Sequence, residues 1–249
     1  MSDSHTAPAL AIHLRPTAPL AERVLLPGDP GRALSLAQSL LDKPLMFNHN
    51  RGLWGYTGQA GDGLALTIQA TGMGGPSAAI VLSELIALGA RRAIRVGTCG
   101  ALSSALALGD LVIASESVCA DGASRAIAGT ERVLADEALT QALARSAPSA
   151  RAGAVVSVDL FYDDAAQRDL PHDALAIEME AATLFALGAA AQVPVACLLT
   201  VTDTFDAQGA RTRIADDALH AAAERMGAVA LAALDDQRKP PSTPDLAAG

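Results

Sequence analysis

Strand-like and helix-like runs take turns along nearly the whole chain, and this alternation limits the possible folds more than any other feature. Strand-like stretches fall at 24–26, 53–58, 64–71, 93–96, 111–117, 154–158, 174–177 and 195–202, and helix-like stretches at 32–41, 76–88, 135–144, 179–190 and 214–234. Gly61-Asp62-Gly63 reads as a hairpin turn between the second and third strands. Such alternation predicts an α/β fold, with a mostly parallel sheet and helices on both faces. Hydrophobic residues make up 51% of the chain but aromatics only 3%. The core must therefore be built from Ala, Val, Leu and Ile, which suits strands buried on both sides. No Pro/Gly/Ser linker divides the 249 residues. One domain over 1–234 is expected, with 235–249 as a mobile tail lacking apolar periodicity.

Several functions are excluded early. A net charge of −9 argues against a nucleic-acid partner, which requires a basic face. The uncharged run from Ala181 to Thr202 has the length of a membrane span. Pro194 interrupts it, however, Glu180 and Asp203 flank it, and no Lys or Arg anchors either end. It is expected to be a buried helix, a turn near Val193-Pro194 and a central strand, so no membrane partner is expected. Cys99, Cys119 and Cys197 are scattered and form no CxxC, which suggests neither a zinc site nor a disulfide scaffold and fits a cytoplasmic location. "TGMGGP" lacks the spacing of a dinucleotide fingerprint, and no P-loop, HExxH, EF-hand or G-x-S-x-G motif occurs.

The chemistry-bearing residues gather where strands give way to helices. In "VLLPGDPGRA", Gly28 lets the backbone approach a ligand, Asp29 and Pro30 open a helix, and Arg32 offers a forked donor one turn in. Taken alone, that is a capped helix with a solvated arginine. In "IRVGTCGAL", Arg95 interrupts an apolar strand and needs an anionic partner, either an internal carboxylate or a bound anion. The turn at Gly97, Thr98, Cys99 and Gly100 lies at that strand's carboxyl end, where open α/β sheets bind ligands. In "AIEMEAATLF", Glu178 and Glu180 suit a first helical turn, or one of them accepts sugar hydroxyls while Met179 packs on the sugar. In "LLTVTDTFD", Asp203 ends the uncharged run as a turn residue or as a general acid whose pKa partial burial would raise. Phe161 and Tyr162 form core or a stacking surface for a base.

In order along the chain, "LLPGDPGR", "NRGLWGYTG", "TGMGGPSAAIVLSEL", "IRVGTCGAL", "SVDLFY" and "IEMEAATLF" resemble the nucleoside phosphorylase family, whose hexamers include bacterial purine nucleoside phosphorylase, uridine phosphorylase and archaeal methylthioadenosine phosphorylase. The resemblance spans 12–234, and the pattern is closer to the archaeal type than to the enterobacterial purine type. It implies a three-layer αβα fold with a mixed, partly barrel-like central sheet. The reaction it implies is phosphorolysis of a nucleoside to free base and pentose 1-phosphate, with inorganic phosphate as co-substrate and no cofactor or metal. By the same resemblance, Gly28, Arg32, Arg95 and Thr98 form the phosphate site, joined by Arg51 from a neighbouring subunit of a dimer-based oligomer, expected to be a hexamer. His13 crosses the same interface to the sugar 5′ side. Met179 and Glu180 form the ribose site, and Cys99, Gly100, Phe161, Glu178 and Thr202 the base pocket.

Asp203 decides the substrate class, because in the purine branch this aspartate protonates purine N7. Uridine phosphorylases instead use a Gln/Arg pair in an insert, which the short segment holding Gln167 and Arg168 does not reproduce. Purine nucleosides are therefore the expected substrates. The assisting arginine is left as Arg211 or Arg213. A uridine phosphorylase, a phosphate-independent nucleosidase and a non-catalytic nucleoside-binding protein remain as alternatives on the same scaffold.

Overall fold

The apolar run after Glu22 becomes the first strand of a mixed sheet. The computed structural model describes residues 11–162, 170–206 and 208–236. The strands are β1 (Arg23–Leu26), β2 (Leu41–Asn48), β3 (Gly55–Ala60), β4 (Ala65–Gln69), β5 (Arg92–Ala101), β6 (Leu111–Cys119), β7 (Arg132–Leu134), β8 (Arg151–Ser157), β9 (Ala176–Glu178), β10 (Val195–Phe205) and β11 (Arg211–Arg213). The helices are α1 (Pro30–Leu40), α2 (Gly75–Leu88), α3 (Gly122–Ala128), α4 (Glu137–Ser146), α5 (Ala181–Ala191) and α6 (Asp216–Asp236).

Four strands, β4, β1, β5 and β10, run parallel side by side. Beyond them β10 pairs antiparallel with β6, β6 runs parallel to β8, β8 runs parallel to β9, and β9 returns antiparallel to the end of β5. The strands β5, β10, β6, β8 and β9 thus close a ring, while β1, β4, β3 and β2 form an open wing. The sheet is mixed, as the family resemblance implied, and not mostly parallel as alternation alone suggested. The antiparallel pairings are those within β2–β3–β4, that of β6 with β10, and those of the short strands β7, β9 and β11 with β6, β5 and β10.

Period-two alternation builds three layers. Val24, Leu26, Cys197 and Leu199 face α2 and α5, packing with Val81, Leu85, Leu184 and Phe185. Leu25, Ile94, Ala196 and Leu198 face the other way, against Leu36 of α1, Leu143 of α4 and Met226 of α6. The uncharged run resolves as expected into α5, a left-handed residue at Gln192, and the central strand β10. Among the described residues no helix is long and apolar enough to cross a membrane. α6 continues to Asp236, so the expected tail is reduced to 237–249, outside the described residues.

Four elements escape the sequence pattern. β2 carries Pro44 and a left-handed Lys43, and two register shifts break its alternation. Proline there is tolerated because β2 is an edge strand. α3 and β7 lie in "ADGASRAIAGTERVL", and β11 has no apolar residue at all.

Candidate active site

The carboxyl ends of the parallel strands gather the candidate residues. After β1 the chain turns at Gly28, and Asp29 caps α1 by accepting the Arg32 N–H at 2.6 Å. The loop after β4 runs alongside, with the Gly72 N–H donating to the Gly28 carbonyl at 3.0 Å. A Cβ on Gly28 would stand 3.3 Å from the Gly72 carbonyl oxygen and 3.9 Å from Arg95 Nη1. Glycine keeps this floor open.

Arg95 rises from β5 and is buried. It folds back over Gly97, where a Cβ would lie only 2.7 Å from the Arg95 guanidinium carbon. Its Nε donates to Glu178 Oε2 at 3.0 Å, and its Nη2 pairs with Glu180 Oε2. Its Nη1 is buried with no hydrogen-bond partner among the described residues. Burial opposes the charge on Arg95, but the carboxylates of Glu180 and Glu178 outweigh it and hold the pKa above the ordinary arginine value. Of the two expected partners for Arg95 the structure shows the internal carboxylates, and it leaves one donor over beside Gly28. Arg32 stands close enough to feel the charges of Asp29, Arg95 and Glu180, and burial pulls its pKa down. An unpartnered buried donor beside a partly desolvated cation makes a site that lacks a hydrogen-bond acceptor. Thr98 follows Gly97, half-buried.

The two glutamates have different tasks. Glu178 accepts N–H donors from Glu180 at 2.8 Å and Ala181 at 2.9 Å, the Ser157 hydroxyl, and Arg95. Both its oxygens are occupied inside the fold, and burial pushes its pKa up. The structure thus sets Glu178 beneath the site, where it caps α5 and braces Arg95, and not in a base pocket. Glu180 takes the Gly74 N–H as well as Arg95. Gly74, in the left-handed region, comes from "TGMGGP", so that motif supplies a brace for Glu180. Met179 is half-buried against Val156, Val158 and Ala174.

At the end of β10, Asp203 lies opposite Gly100 on β5 and Arg213 on β11. Its Oδ1 accepts from Arg211 Nε at 2.7 Å and Arg213 Nη1 at 3.3 Å, and its Oδ2 from the Thr202 hydroxyl at 2.8 Å. Both arginines reach the aspartate, Arg211 more closely. The Arg211 guanidinium also covers the Phe161 ring at 4.6 Å from its centroid, and Tyr162 meets the ring edge-on at 4.9 Å. Two expected base contacts have other work. The Cys99 thiol points to the Thr200 carbonyl at 3.6 Å within the core, and burial raises its pKa. Gly100 makes room for Ile177 and Phe205, whose atoms would stand 3.2 and 3.3 Å from a Cβ.

His13 and Arg51 form a second group. Glu84 of α2 accepts the N–H groups of Ile12, His13 and Leu14 and the His13 ring at 2.6 Å. Asn50 Nδ2 donates to the His13 carbonyl at 2.8 Å. Next to it, Arg51 is exposed and held at φ 58° in a 3-10 turn, Asn50–Gly52, a conformation that non-glycine residues seldom adopt. Ile12, Leu45, Met46 and Trp54 are also exposed. Asn50 and Glu84 lie inside "NRGLWGYTG" and "TGMGGPSAAIVLSEL", but sequence reasoning assigned neither of them a role. Gln167 and Arg168 lie outside the described residues. Among the described residues no three His, Cys, Asp or Glu side chains gather as a metal site requires.

Comparison with known proteins places this geometry. The model of the phosphorylase superfamily matches residues 22–235. A DeoD-type purine nucleoside phosphorylase of Clostridium beijerinckii is 36% identical over 208 residues, covering 79% of this chain and 87% of its own. Its counterpart from a Jannaschia species is 38% identical over 197 residues, covering 74% and 82%. That of Caldanaerobacter subterraneus is 37% identical over 196 residues, covering 74% and 84%.

Proposed function

The chain belongs to the phosphorylase superfamily, and from that premise we infer that it is a pentosyltransferase that cleaves purine nucleosides with phosphate, giving free base and ribose or deoxyribose 1-phosphate. The observation that carries the phosphate-dependent reading is Arg95 Nη1, a buried guanidinium donor with no partner among the described residues, beside Gly28. A bound oxyanion would satisfy it, with Arg32 and Thr98 as further ligands.

In this reading the sugar sits on Met179 with its hydroxyls on Glu180, and Phe161 stacks on the base. The glycosidic bond is largely broken in the transition state. Phosphate is both nucleophile and counter-charge to the positive sugar, and holding it in place lowers the entropic barrier. Negative charge gathers on the departing purine, and Asp203 transfers a proton to N7, a contribution of roughly 10²–10⁴-fold. Phosphate is the co-substrate, and no step calls on a cofactor. Arg51 and His13, set together on one edge among exposed apolar residues, would complete the site of a neighbouring copy in a dimer-based oligomer, proposed as a hexamer. Site residues are drawn from along the chain, from the turn after β1 to β11, which supports a single domain.

The test is base release from inosine, adenosine, 5′-methylthioadenosine and uridine, with and without phosphate. Phosphate-dependent release from a purine nucleoside is expected. Equal release without phosphate would make the protein a nucleosidase. Cleavage of uridine alone would move it to the pyrimidine branch, and tight binding without release would make it a binding protein.

A further inference from the structure

The strand that carries Asp203 is irregular at the aspartate. Val201 on β10 pairs with Cys99 on β5, but the next pairing is Asp203 with Gly100, so Thr202 is an extra residue in the strand. In a regular strand, neighbouring side chains point to opposite faces and cannot touch. A bulge re-aims one of them. Here it brings the Thr202 hydroxyl to 2.8 Å from Asp203 Oδ2, and both side chains are buried. The same hydroxyl lies 3.3 Å from the Cys99 carbonyl. One hydroxyl has one proton to give and two acceptors to choose from.

Building on the purine phosphorolysis reading, we propose that Thr202 is a positioning residue whose hydroxyl turns between the Cys99 carbonyl and Asp203 Oδ2 as the aspartate loses its proton. In this step the proton bound for N7 leaves from Asp203 Oδ2, and until it does the Thr202 hydroxyl donates to the Cys99 carbonyl. As the bond between sugar and purine breaks, its electron pair leaves with the purine, and the Oδ2 proton moves to N7. The purine departs neutral and Asp203 becomes a carboxylate. The Thr202 hydroxyl then turns its proton to Oδ2, while Arg211 Nε stays on Oδ1. The new charge thus meets a donor one hydroxyl rotation away, which leaves the Cys99 carbonyl to reach it while the heavy atoms stay in place. Asp203 takes its next proton from solvent, and the hydroxyl turns back.

The experiment compares two substrates. Inosine needs a proton at N7, whereas 7-methylguanosine, already alkylated and cationic there, does not. Thr202→Val removes the hydroxyl and keeps the side-chain shape. It is expected to lower kcat for inosine roughly 10- to 100-fold, the range of a hydrogen bond to a charged group. Turnover of 7-methylguanosine and the KM for phosphate should stay within about twofold, and Thr202→Ser should restore inosine turnover. Thr202→Ala provides the same comparison if valine crowds the bulge. Unchanged inosine turnover in both variants would overturn the proposal, as would an equal fall on the two substrates. A wild-type protein inert toward purine nucleosides and phosphate would instead overturn the phosphorolysis reading beneath it.

Discussion

The two ends of the site are built differently. At the proposed phosphate end Arg95 and its two carboxylates are tied down in buried structure, with one guanidinium nitrogen left over. Arg95 is held by Glu178 and Glu180, Glu178 by Ser157 and the start of α5, and Glu180 by the Gly74 N–H. At the base end Asp203 is buried, but its partners Arg211 and Arg213 stand on an exposed two-sided strand, and Phe161 and Tyr162 lie at the surface. The proposed anion site would therefore be organised before any ligand arrives, with its cost met during folding. The base end is held by contacts that solvent competes for, so it can part to admit a nucleoside. One half of the site is coupled to fold stability and the other half is coupled to turnover.

Asp203→Asn tests the turnover half and should have the largest effect. Asn keeps the shape and can still accept from Arg211 through Oδ1, while its Nδ2 turns a donor toward the Thr202 oxygen, but it has no acidic proton to give. The kcat for inosine should fall by about 10²–10⁴-fold, with the denaturant midpoint and the phosphate KM nearly unchanged. Arg95→Ala tests the other half. It leaves Glu178 and Glu180 buried without their cation, and a buried pair broken on one side typically costs about 3–5 kcal/mol. Urea unfolding should show that loss, and the apparent KM for phosphate should rise roughly 10-fold or more. An Arg95→Ala protein as stable as the wild type would mean that the phosphate end is no more committed to the fold than the base end.

The same contrast explains what the sequence made legible. Gly28 and Arg32 lie where β1 turns into α1, so an apolar run ending in Gly, Asp and Pro marks them along the chain, whereas Thr98 lies inside β5, which runs on to Ala101 and does not make the turn expected at 97–100. The pairing of Arg95 was legible only as a choice between a carboxylate and an anion, because the sequence does not say that a guanidinium has donors enough for both. Nor does spacing reveal that Glu178 lies under Glu180, since the half-turn between β9 and α5 decides it. The base end is harder to read. β11 is three residues, Arg211, Thr212 and Arg213, with no apolar signal, and it is a strand only because Asp203 to Phe205 pair with it. β2 is hidden for a related reason, since an edge strand bearing Pro44 and register shifts loses its period.

Arg211→Leu sharpens the comparison at the base end. The arginine joins Asp203 to the Phe161 ring, yet about a third of its side chain is exposed. Half-solvated ion pairs and cation–π contacts are individually weak. The expected result is roughly a 3- to 10-fold loss in kcat/KM for inosine, and little change in stability. A loss as large as that of Asp203→Asn would mean that Arg211 acts in the proton transfer itself, and that the base end is as tightly organised as the phosphate end.

The edge carrying His13 gives the smallest and most local effect, and it asks to which kind of structure that edge belongs. Glu84 holds the segment by one carboxylate. Burial alone would raise its pKa, but the N–H donors of Leu14, His13 and Ile12 and the His13 ring outweigh it, and the net shift is downward. A carboxylate with a depressed folded-state pKa adds stability that is complete above its unfolded value, about 4.3, and is lost as pH falls through the folded value. Hydrogen exchange at Ile12, His13 and Leu14, corrected for intrinsic rates, should therefore stay slow at neutral pH and quicken below about pH 4. Glu84→Gln, which keeps an acceptor but removes the charge, should quicken exchange there already at pH 7. If these amides hold their protection in acid as firmly as those of β5, the segment is fastened by packing, and the edge that presents His13 and Arg51 is rigid in the manner of the phosphate end.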